Sequence, residues 1–355
     1  MAKRLVLTLA ALVLVGATMV RAYEATDDTL SAVALSRAVE RGLDLLIKTS
    51  PTFIKKGGCN SCHNQMLPAA AQAFARSRGI VSEPAVAQLP AELSDATMER
   101  YAEYSVPGGA GVNALTYELF AADLTGTPLD ARIRAQIRYI KAQQQPEGHW
   151  RGGSGSLTNN AQQALSRPAA ARPPLSFDAF SPTAYMIRAL RSYGQPQDDA
   201  DTRQRIERAA RWLLNAKASR TQEHAFRVLG LVWASADRRS IDAAARALQS
   251  LQRADGGFSQ LPTLSSDAYA TGVALFALHE AGMSPVHRVY QAGLKFLLTT
   301  QAADGTWHVK SRSLEFQPYF ESGYPYGRDQ WISAAGTSYA VLAIAAAVPI
   351  EAARR

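Results

Sequence analysis

The chain has 355 residues, of which 47% are hydrophobic and 8% aromatic, with 38 basic against 30 acidic side chains. This composition is too apolar for a disordered chain and not apolar enough for a protein with many membrane spans. The chain contains two cysteines, which excludes a disulfide-stapled scaffold and multi-cysteine zinc or iron–sulfur frameworks.

The first 22 residues have the pattern of a secretory signal peptide. Lys3 and Arg4 precede an almost wholly apolar run that ends at Val20, next to a small-residue cleavage pattern. A run of about 16 apolar residues is short for a membrane span. We therefore expect a leader at 1–22 and a single mature domain at 23–355 that is periplasmic or secreted, with no stable membrane span. An uncleaved N-terminal anchor is the alternative.

Removal of this leader lowers the formal net charge from +8 to +5. The remaining arginines are spread along helix faces rather than gathered in a basic stripe with aromatic stacking partners. This pattern argues against nucleic-acid binding, and it leaves a redox partner protein or a small-molecule ligand as the expected partner.

Helix signals dominate the chain in order, and they fall into pairs. Each pair has an amphipathic first helix and a second helix that is apolar on more of its surface, which predicts an outer and an inner helix. The pairs begin near Ser36, Leu93, Asp130, Thr202, Ile241 and Val289, and their second helices cover 68–78, 114–124, 182–193, 222–234, 268–281 and 333–347. The prediction is an all-α, single (α/α)6 toroid of six helix pairs with a central cavity.

Three turns between paired helices share a motif of Gln, Gly and an aromatic residue. They are 145–150 (Gln-Pro-Glu-Gly-His-Trp), 252–258 (Gln-Arg-Ala-Asp-Gly-Gly-Phe) and 301–307 (Gln-Ala-Ala-Asp-Gly-Thr-Trp). The Gly permits a positive φ where the first helix must end, and the aromatic ring anchors the turn between helix pairs. These turns resemble the repeats of the terpenoid cyclase and protein prenyltransferase superfamily, which includes squalene–hopene cyclases. The resemblance covers most of the mature chain and implies an α/α toroid.

The same resemblance brings expectations that the sequence does not meet. Class II cyclases of that superfamily use an Asp-x-Asp-Asp acid motif, which this chain lacks; its nearest acidic cluster, at 198–201, reads as a helix N-cap. The mature length supplies one helical domain where triterpene cyclases use two. Prenyltransferase chemistry needs zinc ligands that are far apart in sequence, whereas Cys59 and Cys62 are three residues apart. A triterpene cyclase is therefore not expected.

The strongest local motif is Cys59-Asn-Ser-Cys62-His63. Cys-x-x-Cys-His is the attachment pattern of haem c, in which two thiols bind the porphyrin vinyl groups and the next imidazole binds the iron. Attachment occurs outside the cytoplasm, which agrees with the predicted leader. The motif predicts covalent haem c with Cys59, Cys62 and His63 as cofactor ligands. A Cys59–Cys62 disulfide, or another metal site that uses these residues, is the alternative.

The predicted toroid places this motif at the cavity mouth, beside the turns of the other repeats. His149 and His308 flank equivalent turns and are candidates for the sixth iron ligand, with solvent-facing loop histidines as the plain alternative. An aromatic loop at 316–331 is expected on the same rim. It offers four candidate contacts for a haem propionate or a substrate, unless the loop only plugs the mouth: Glu321, Tyr324, Arg328 and Asp329.

The sequence leaves three hypotheses, the third of which is a non-catalytic binding scaffold that holds neither cofactor nor lipid. The first is an exported toroid with one covalent haem c, in electron transfer or as a haem-dependent oxidoreductase. The second is a terpenoid-cyclase-like or prenyltransferase-like enzyme, or a lipid-binding toroid, in which the cysteines form a disulfide or a metal site. Five inner-helix aromatic residues would line the cavity or simply pack the core: Tyr117, Tyr185, Trp233, Tyr269 and Tyr339.

Overall fold

A computed structural model describes residues 30–57, 63–80, 111–151, 178–195, 197, 199–312 and 319–350. These residues form eleven α-helices and a short 3₁₀ helix at Gly327–Asp329. The helices are α1 Ala32–Gly57, α2 Met66–Ser77, α3 Gly111–Leu124, α4 Ala131–Ala142, α5 Phe180–Tyr193, α6 Ala200–Asn215, α7 Thr221–Trp233, α8 Arg238–Gln249, α9 Ala268–Glu280, α10 Arg288–Thr300 and α11 Gln330–Ala347. The expected leader, Cys59, Cys62 and the helix expected near Leu93 lie outside the described residues.

Six helices form the inner layer. In the order α2, α3, α5, α7, α9 and α11, each packs against the next, and α11 packs against α2. The helices α1, α4, α6, α8 and α10 lie outside this ring, and each packs against the inner helix that follows it in the chain. The protein is therefore all-helical in its described part, with the arrangement of an α/α toroid. None of the described helices is long and apolar enough to cross a membrane.

The two layers follow from side-chain patterning. The outer helix α8 buries one stripe, Ile241, Ala244, Ala245 and Leu248, which is the spacing of a helix with one wet face. The inner helix α9 buries every residue from Ala268 to Leu278. A helix that is buried all round must have neighbours on all sides, and the closed ring supplies them.

The repeated turns carry a glutamine that ties neighbouring repeats together. Gln144, Gln252 and Gln301 each donate from Nε2 to the carbonyl of the Gly in their own turn, at 2.8, 2.8 and 2.9 Å. The same Nε2 atoms donate to backbone carbonyls of the next outer helix, in α6, α10 and α1 respectively. In the first of these turns the equivalent residue is thus Gln144, one position before the Gln145 that the motif predicted.

The last of these turns closes the ring between the two ends of the chain. Gln301 donates to the Ala38 carbonyl of α1 at 2.8 Å. Gly305 has φ +87°, and a Cβ at this position would lie 2.3 Å from the Arg41 carbonyl oxygen. Trp307 is fully buried, and its indole donates to the Leu297 carbonyl at 2.8 Å. Only a glycine permits this close approach of turn and helix.

Aromatic side chains fill the middle of the ring where inner helices face each other. Tyr185 of α5 and Tyr339 of α11 come from opposite sides, and their hydroxyl oxygens lie 2.7 Å apart. Phe120 of α3 and Phe276 of α9 also meet across the ring, with centroids 6.5 Å apart. At this depth the axis is packed with side chains, so these residues belong to the core. Tyr117 keeps partial exposure nearer the rim where the inner helices begin.

Candidate functional site

The face of the ring where the inner helices begin is termed the N-terminal rim. It carries a hydrogen-bonded chain from three consecutive inner helices. Tyr269 of α9 donates from its hydroxyl to Gln222 Oε1 at 2.9 Å, and Gln222 of α7 donates from Nε2 to Asp178 Oδ2. Asp178 precedes α5, and its Oδ1 accepts from the Ser181 backbone amide at 2.7 Å. An acid, an amide and a phenol are therefore linked across this rim.

The acid in this chain is held in conditions that favour its neutral form. Burial raises the pKa of Asp178 to about 6, and the neighbouring Glu223 carboxylate acts in the same direction. Hydrogen bonds from Ser181 and Gln222 oppose the shift. The carboxyl thus holds its proton at a much higher pH than an exposed aspartic acid, which is what a general acid near neutral pH requires.

A second acid has an equivalent place two inner helices further on. Asp267 precedes α9, and its Oδ1 accepts from the Ala270 amide at 2.8 Å and from Gln260 Nε2 at 3.1 Å. Burial raises its pKa to about 6, and Arg312 acts in the opposite direction. Oδ2 of Asp267 and Oε1 of Gln260 are both buried without a hydrogen-bond partner.

The phenol of Tyr269 lies close to the tyrosines at the centre of the ring. Its ring packs edge-on against Tyr339 with centroids 5.1 Å apart. Burial raises the pKa of Tyr269 well above its usual range, and Tyr117, Tyr185, Asp178 and Asp267 act in the same direction.

His63 also lies at this rim, at the start of the first inner helix. Its Nε2 lies 2.9 Å from the side-chain amide of Asn64, its ring also hydrogen-bonds the backbone of Trp331, and its centroid is 6.1 Å from that of Tyr117. Burial lowers the pKa of His63 to about 4, so the imidazole is neutral near pH 7. Cys59 and Cys62 lie outside the described residues.

The other two candidate iron ligands occupy different environments. His149 stacks on Trp212 of the outer helix α6, with centroids 4.8 Å apart. His308 stacks on Tyr326 and lies with Nε2 2.8 Å from Asp329 Oδ2. Asp329 immediately precedes α11, two residues before Trp331. His308 thus belongs to the same corner of the rim as His63, whereas His149 belongs to a seam in the outer layer.

The aromatic loop does not bring its four candidate residues to one point. Tyr324 is buried, and its hydroxyl donates to Thr337 Oγ1 at 2.7 Å. Arg328 lies over the ring of Tyr319, 5.1 Å from its centroid. The loop instead packs on the end of α1: Phe320 lies edge-on to Phe53 at 4.9 Å, and Lys56 Nζ donates to the Glu321 carbonyl at 3.0 Å.

Gln330 organises this loop, a role that no pattern in the sequence predicted. It is fully buried, and its Oε1 accepts from the backbone amide and the hydroxyl of Ser322 at 2.7 and 2.6 Å. Its Nε2 faces the Tyr319 hydroxyl at 3.0 Å and Glu321 Oε2 at 3.3 Å. The loop is therefore fixed through an amide at the first position of α11.

Four further rim residues were not predicted from the sequence: Asp178, Gln222, Gln260 and Asp267. One signal for the two acids was present, since Asp267 directly precedes an apolar inner helix and Asp178 lies two residues before one. That pattern is also the ordinary pattern of an N-cap, and both residues do cap their helices. Burial also raises the pKa of both acids. This burial depends on packing around the rim rather than on local sequence.

The comparisons with known proteins bear on the fold. No known sequence family matches the chain, and no curated protein does. Among solved structures, a protein from Actinoplanes has a TM-score of 0.53 and 15% identity over 88% of this chain and 99% of its own. A type II terpene cyclase, MstE from Scytonema, in complex with its substrate geranylgeranyl dihydroxybenzoate, has a TM-score of 0.52 and 14% identity over 92% and 99% of the two chains.

The same cyclase in complex with its product, merosterolic acid A, has a TM-score of 0.50 and 14% identity. Likeness at this level of identity establishes a shared fold. The chain therefore has a terpenoid-cyclase-like toroid fold, as its repeated turns indicated.

Proposed function

We propose that the chain is a toroid enzyme of the terpenoid-cyclase-like class, which binds a ligand with an apolar body at the N-terminal rim and uses Asp178 as its proton donor. The carrying observation is a buried carboxyl with a pKa near 6, linked through Gln222 to the phenol of Tyr269. We also propose the full count of six helix pairs, with the second pair beginning near Leu93 as its sequence pattern predicts.

The chemistry follows from the groups at the rim. A protonated carboxyl can transfer its proton to an electron-rich carbon–carbon double bond, which forms a C–H bond and leaves a carbocation and a carboxylate. Aromatic faces stabilise such a cation, and Tyr269 is linked to the acid through Gln222. Loss of a proton from the cationic product to the carboxylate restores Asp178. No water or metal is needed for this balance.

The test uses a variant that keeps the helix cap and removes the acid. Asn caps a helix as well as Asp does, so Asp178→Asn should fold and bind. The probe is geranylgeranyl dihydroxybenzoate, with retention and conversion followed by mass spectrometry. The parent protein should retain and convert it, and Asp178→Asn should retain it with conversion lowered by at least about a hundredfold.

The matched control is Asp237→Asn, because Asp237 caps the outer helix α8 through the same bond to the third residue along, Ser240, at an exposed site. This variant should convert the probe like the parent. The proposal is overturned if the parent neither retains nor converts the probe, or if Asp178→Asn converts it at the parental rate.

A second candidate function rests on the Cys-x-x-Cys-His motif: covalent haem c, with export from the cytoplasm and a role in electron transfer or redox chemistry. The observation that favours it is the setting of His63. One ring nitrogen lies 2.9 Å from the side-chain amide of Asn64, while the ring is oriented by a backbone hydrogen bond to Trp331. Ligating histidines in proteins are commonly oriented by such a bond, so the imidazole fits an axial ligand.

In that case Cys59 and Cys62 would hold the porphyrin, and His63 the iron, which would supply one-electron chemistry when bound. His308 is the better placed of the two candidate sixth ligands, because it lies at the same corner of the rim. The test is expression with a c-type maturation system and a pyridine haemochrome spectrum. Haem that survives denaturation in the parent but is lost in Cys62→Ser supports this function, and a colourless parent rejects it.

A further inference from the structure

We infer that Asp267 and Gln260 form a subsite for a hydrogen-bond donor on the ligand, so that the ligand is an amphipathic molecule with a hydroxyl or ammonium head and an apolar body. This inference rests on the proposed ligand binding at the N-terminal rim and adds the chemical class of the head group. It is carried by two buried oxygen atoms, Asp267 Oδ2 and Gln260 Oε1, that have no hydrogen-bond partner.

Both atoms belong to side chains that are otherwise well held. Gln260 is fully buried, and its Nε2 donates to Asp267 Oδ1 at 3.1 Å, while Asp267 Oδ1 also caps α9. The bond between the two side chains keeps them side by side. A buried acceptor that lacks a donor costs about 1–3 kcal/mol, so two neighbouring examples mark a place where a donor is missing.

Asp178 and Asp267 cap their helices in the same way but differ at the second carboxyl oxygen. Both acids use Oδ1 to cap the first turn of an inner helix, Asp178 through Ser181 and Asp267 through Ala270. Oδ2 of Asp178 then accepts from Gln222, whereas Oδ2 of Asp267 has no hydrogen-bond partner in the described part of the chain. The same construction is thus completed by the protein in the repeat of α5 and left incomplete in the repeat of α9.

The unfilled position lies beside the proposed reacting groups. Asp267 is two residues from Tyr269. The Asp267 carboxyl, like that of Asp178, helps to raise the pKa of the Tyr269 phenol. A head group held by Asp267 would therefore leave the ligand's apolar body next to Tyr269 and the acid chain. While the Asp267 carboxyl is ionised, the two oxygens accept only, so above about pH 6 they select a donor and discriminate against an ether or an ester oxygen at the same position.

The experiment compares two probes that differ by one donor. Farnesol and farnesyl methyl ether share an apolar body, but only farnesol has an O–H to donate. Their affinities can be measured by quenching of tryptophan fluorescence. The parent protein should bind farnesol at least about tenfold more tightly than the ether, since a buried acceptor pair gains its missing partner only from farnesol.

Asp267→Asn keeps the cap oxygen and places an amide where Oδ2 now lies, so it should abolish the discrimination while the ether binds as before. Asp237→Asn is the matched control, because Asp237 caps the outer helix α8 through the Ser240 amide at 2.9 Å, the same kind of cap at an exposed site. If Asp267→Asn does not fold, Gln260→Met removes the other acceptor at similar volume and should also reduce the discrimination.

The outcomes separate the two proposals. If the parent binds neither probe, the proposed ligand class fails and the subsite fails with it. If both probes bind equally and Asp267→Asn changes nothing, the subsite is wrong although apolar binding stands. If Ca²⁺ or Mg²⁺ raises the thermal midpoint of the parent but not of Asp267→Asn, the oxygens belong to a cation site, and that result also overturns the inference.

Discussion

The two ends of the ring axis are built differently. At the end where the inner helices finish, Arg188 donates from Nε to Asp123 at 2.6 Å and lies over the rings of Phe120 and Trp233, 4.9 Å from each centroid. The Trp233 indole donates to Glu280 at 2.9 Å. At the N-terminal rim, by contrast, two acids retain raised pKa values and two acceptors lack donors.

This difference shows where stability and function are separated. The end where the inner helices finish is termed the closed end. Its charged groups come from α3, α5 and α9 and satisfy one another, so this end fixes the inner helices in place. The rim carries groups that the fold alone does not satisfy. Unfavourable polar groups that persist in a folded protein mark a site where something other than stability is at work.

The largest effect should come from breaking the closed end. Arg188→Met leaves the partly buried carboxylates of Asp123 and Glu280 without their cation, and we expect a loss of about 3 kcal/mol in the free energy of unfolding. Urea unfolding followed by circular dichroism measures this loss. Lys48→Met is the control: its ion pair with Asp44 is exposed, so its loss should cost less than about 0.5 kcal/mol. Equal losses in the two variants would contradict the comparison.

At the N-terminal rim, removal of a charged group should raise the free energy of unfolding rather than lower it. A carboxyl whose folded pKa is raised to about 6 contributes stability that is complete below its unfolded pKa and is lost as the pH rises through 6. Asp178→Asn should therefore be more stable than the parent at pH 7.5, by up to about 2 kcal/mol, and should lose that advantage at pH 4. Glu223, which faces Asp178, strengthens the effect.

Four histidines have lowered pKa values, and their contribution to the free energy of unfolding has the opposite pH dependence, because it is lost as the pH falls. They are His63, His149, His224 and His279. The quantity to measure is therefore the difference between Asp178→Asn and the parent at each pH, in which these contributions cancel. A difference that stays constant from pH 4 to 7.5 would show that the acid is not perturbed.

A smaller effect is expected midway between the two ends. Tyr185→Phe removes the hydroxyl that faces Tyr339 across the ring at 2.7 Å and leaves the Tyr339 hydroxyl buried without that partner. The cost should be about 1–2 kcal/mol. The double variant with Tyr339→Phe should cost less than twice that amount, because both partners are then apolar. Strict additivity would mean that the two hydroxyls do not interact.

The smallest effect should come from the exposed edge of the rim. Arg328 lies over the ring of Tyr319, and exposed contacts of this kind contribute about 0.5 kcal/mol. Arg328→Ala should therefore shift the unfolding midpoint little. A loss above about 1.5 kcal/mol would place this arginine among the groups that hold the aromatic loop together.

Much of the fold was predictable because it is locally encoded. The inner helices begin and end within three residues of the predicted bounds, from α2 to α11, because their apolar periods and cap residues are continuous in sequence. The prediction that the acidic cluster caps a helix is confirmed, since Asp199 accepts from the Thr202 amide at the start of α6. The one-residue error at Gln144 arose because the motif was aligned within a run of three glutamines, Gln143 to Gln145.

The site was less predictable, for a physical reason. Whether Asp178 is a plain cap or a buried acid depends on α7, and the pairing of Tyr185 with Tyr339 joins residues 154 positions apart. Such contacts depend on how the ring closes, which no local pattern records. The Cys-x-x-Cys-His motif is the reverse case: it is fully visible in sequence, and the haem it predicts stays a prediction.

Gln301, in the turn after α10, contacts Ala38 of α1. This contact joins the last repeat to the first and closes the array into a ring. In an open solenoid the terminal repeats lack a neighbour and need special capping sequences. Here every repeat can have two neighbours, and both ends of the described chain reach the same face of the molecule. The chain could then be opened in a different inter-repeat loop and its original ends joined, with the same circular order of helices. Conversely, loss of α1 would expose two apolar surfaces at once, so we expect the molecule to unfold as one cooperative unit rather than repeat by repeat.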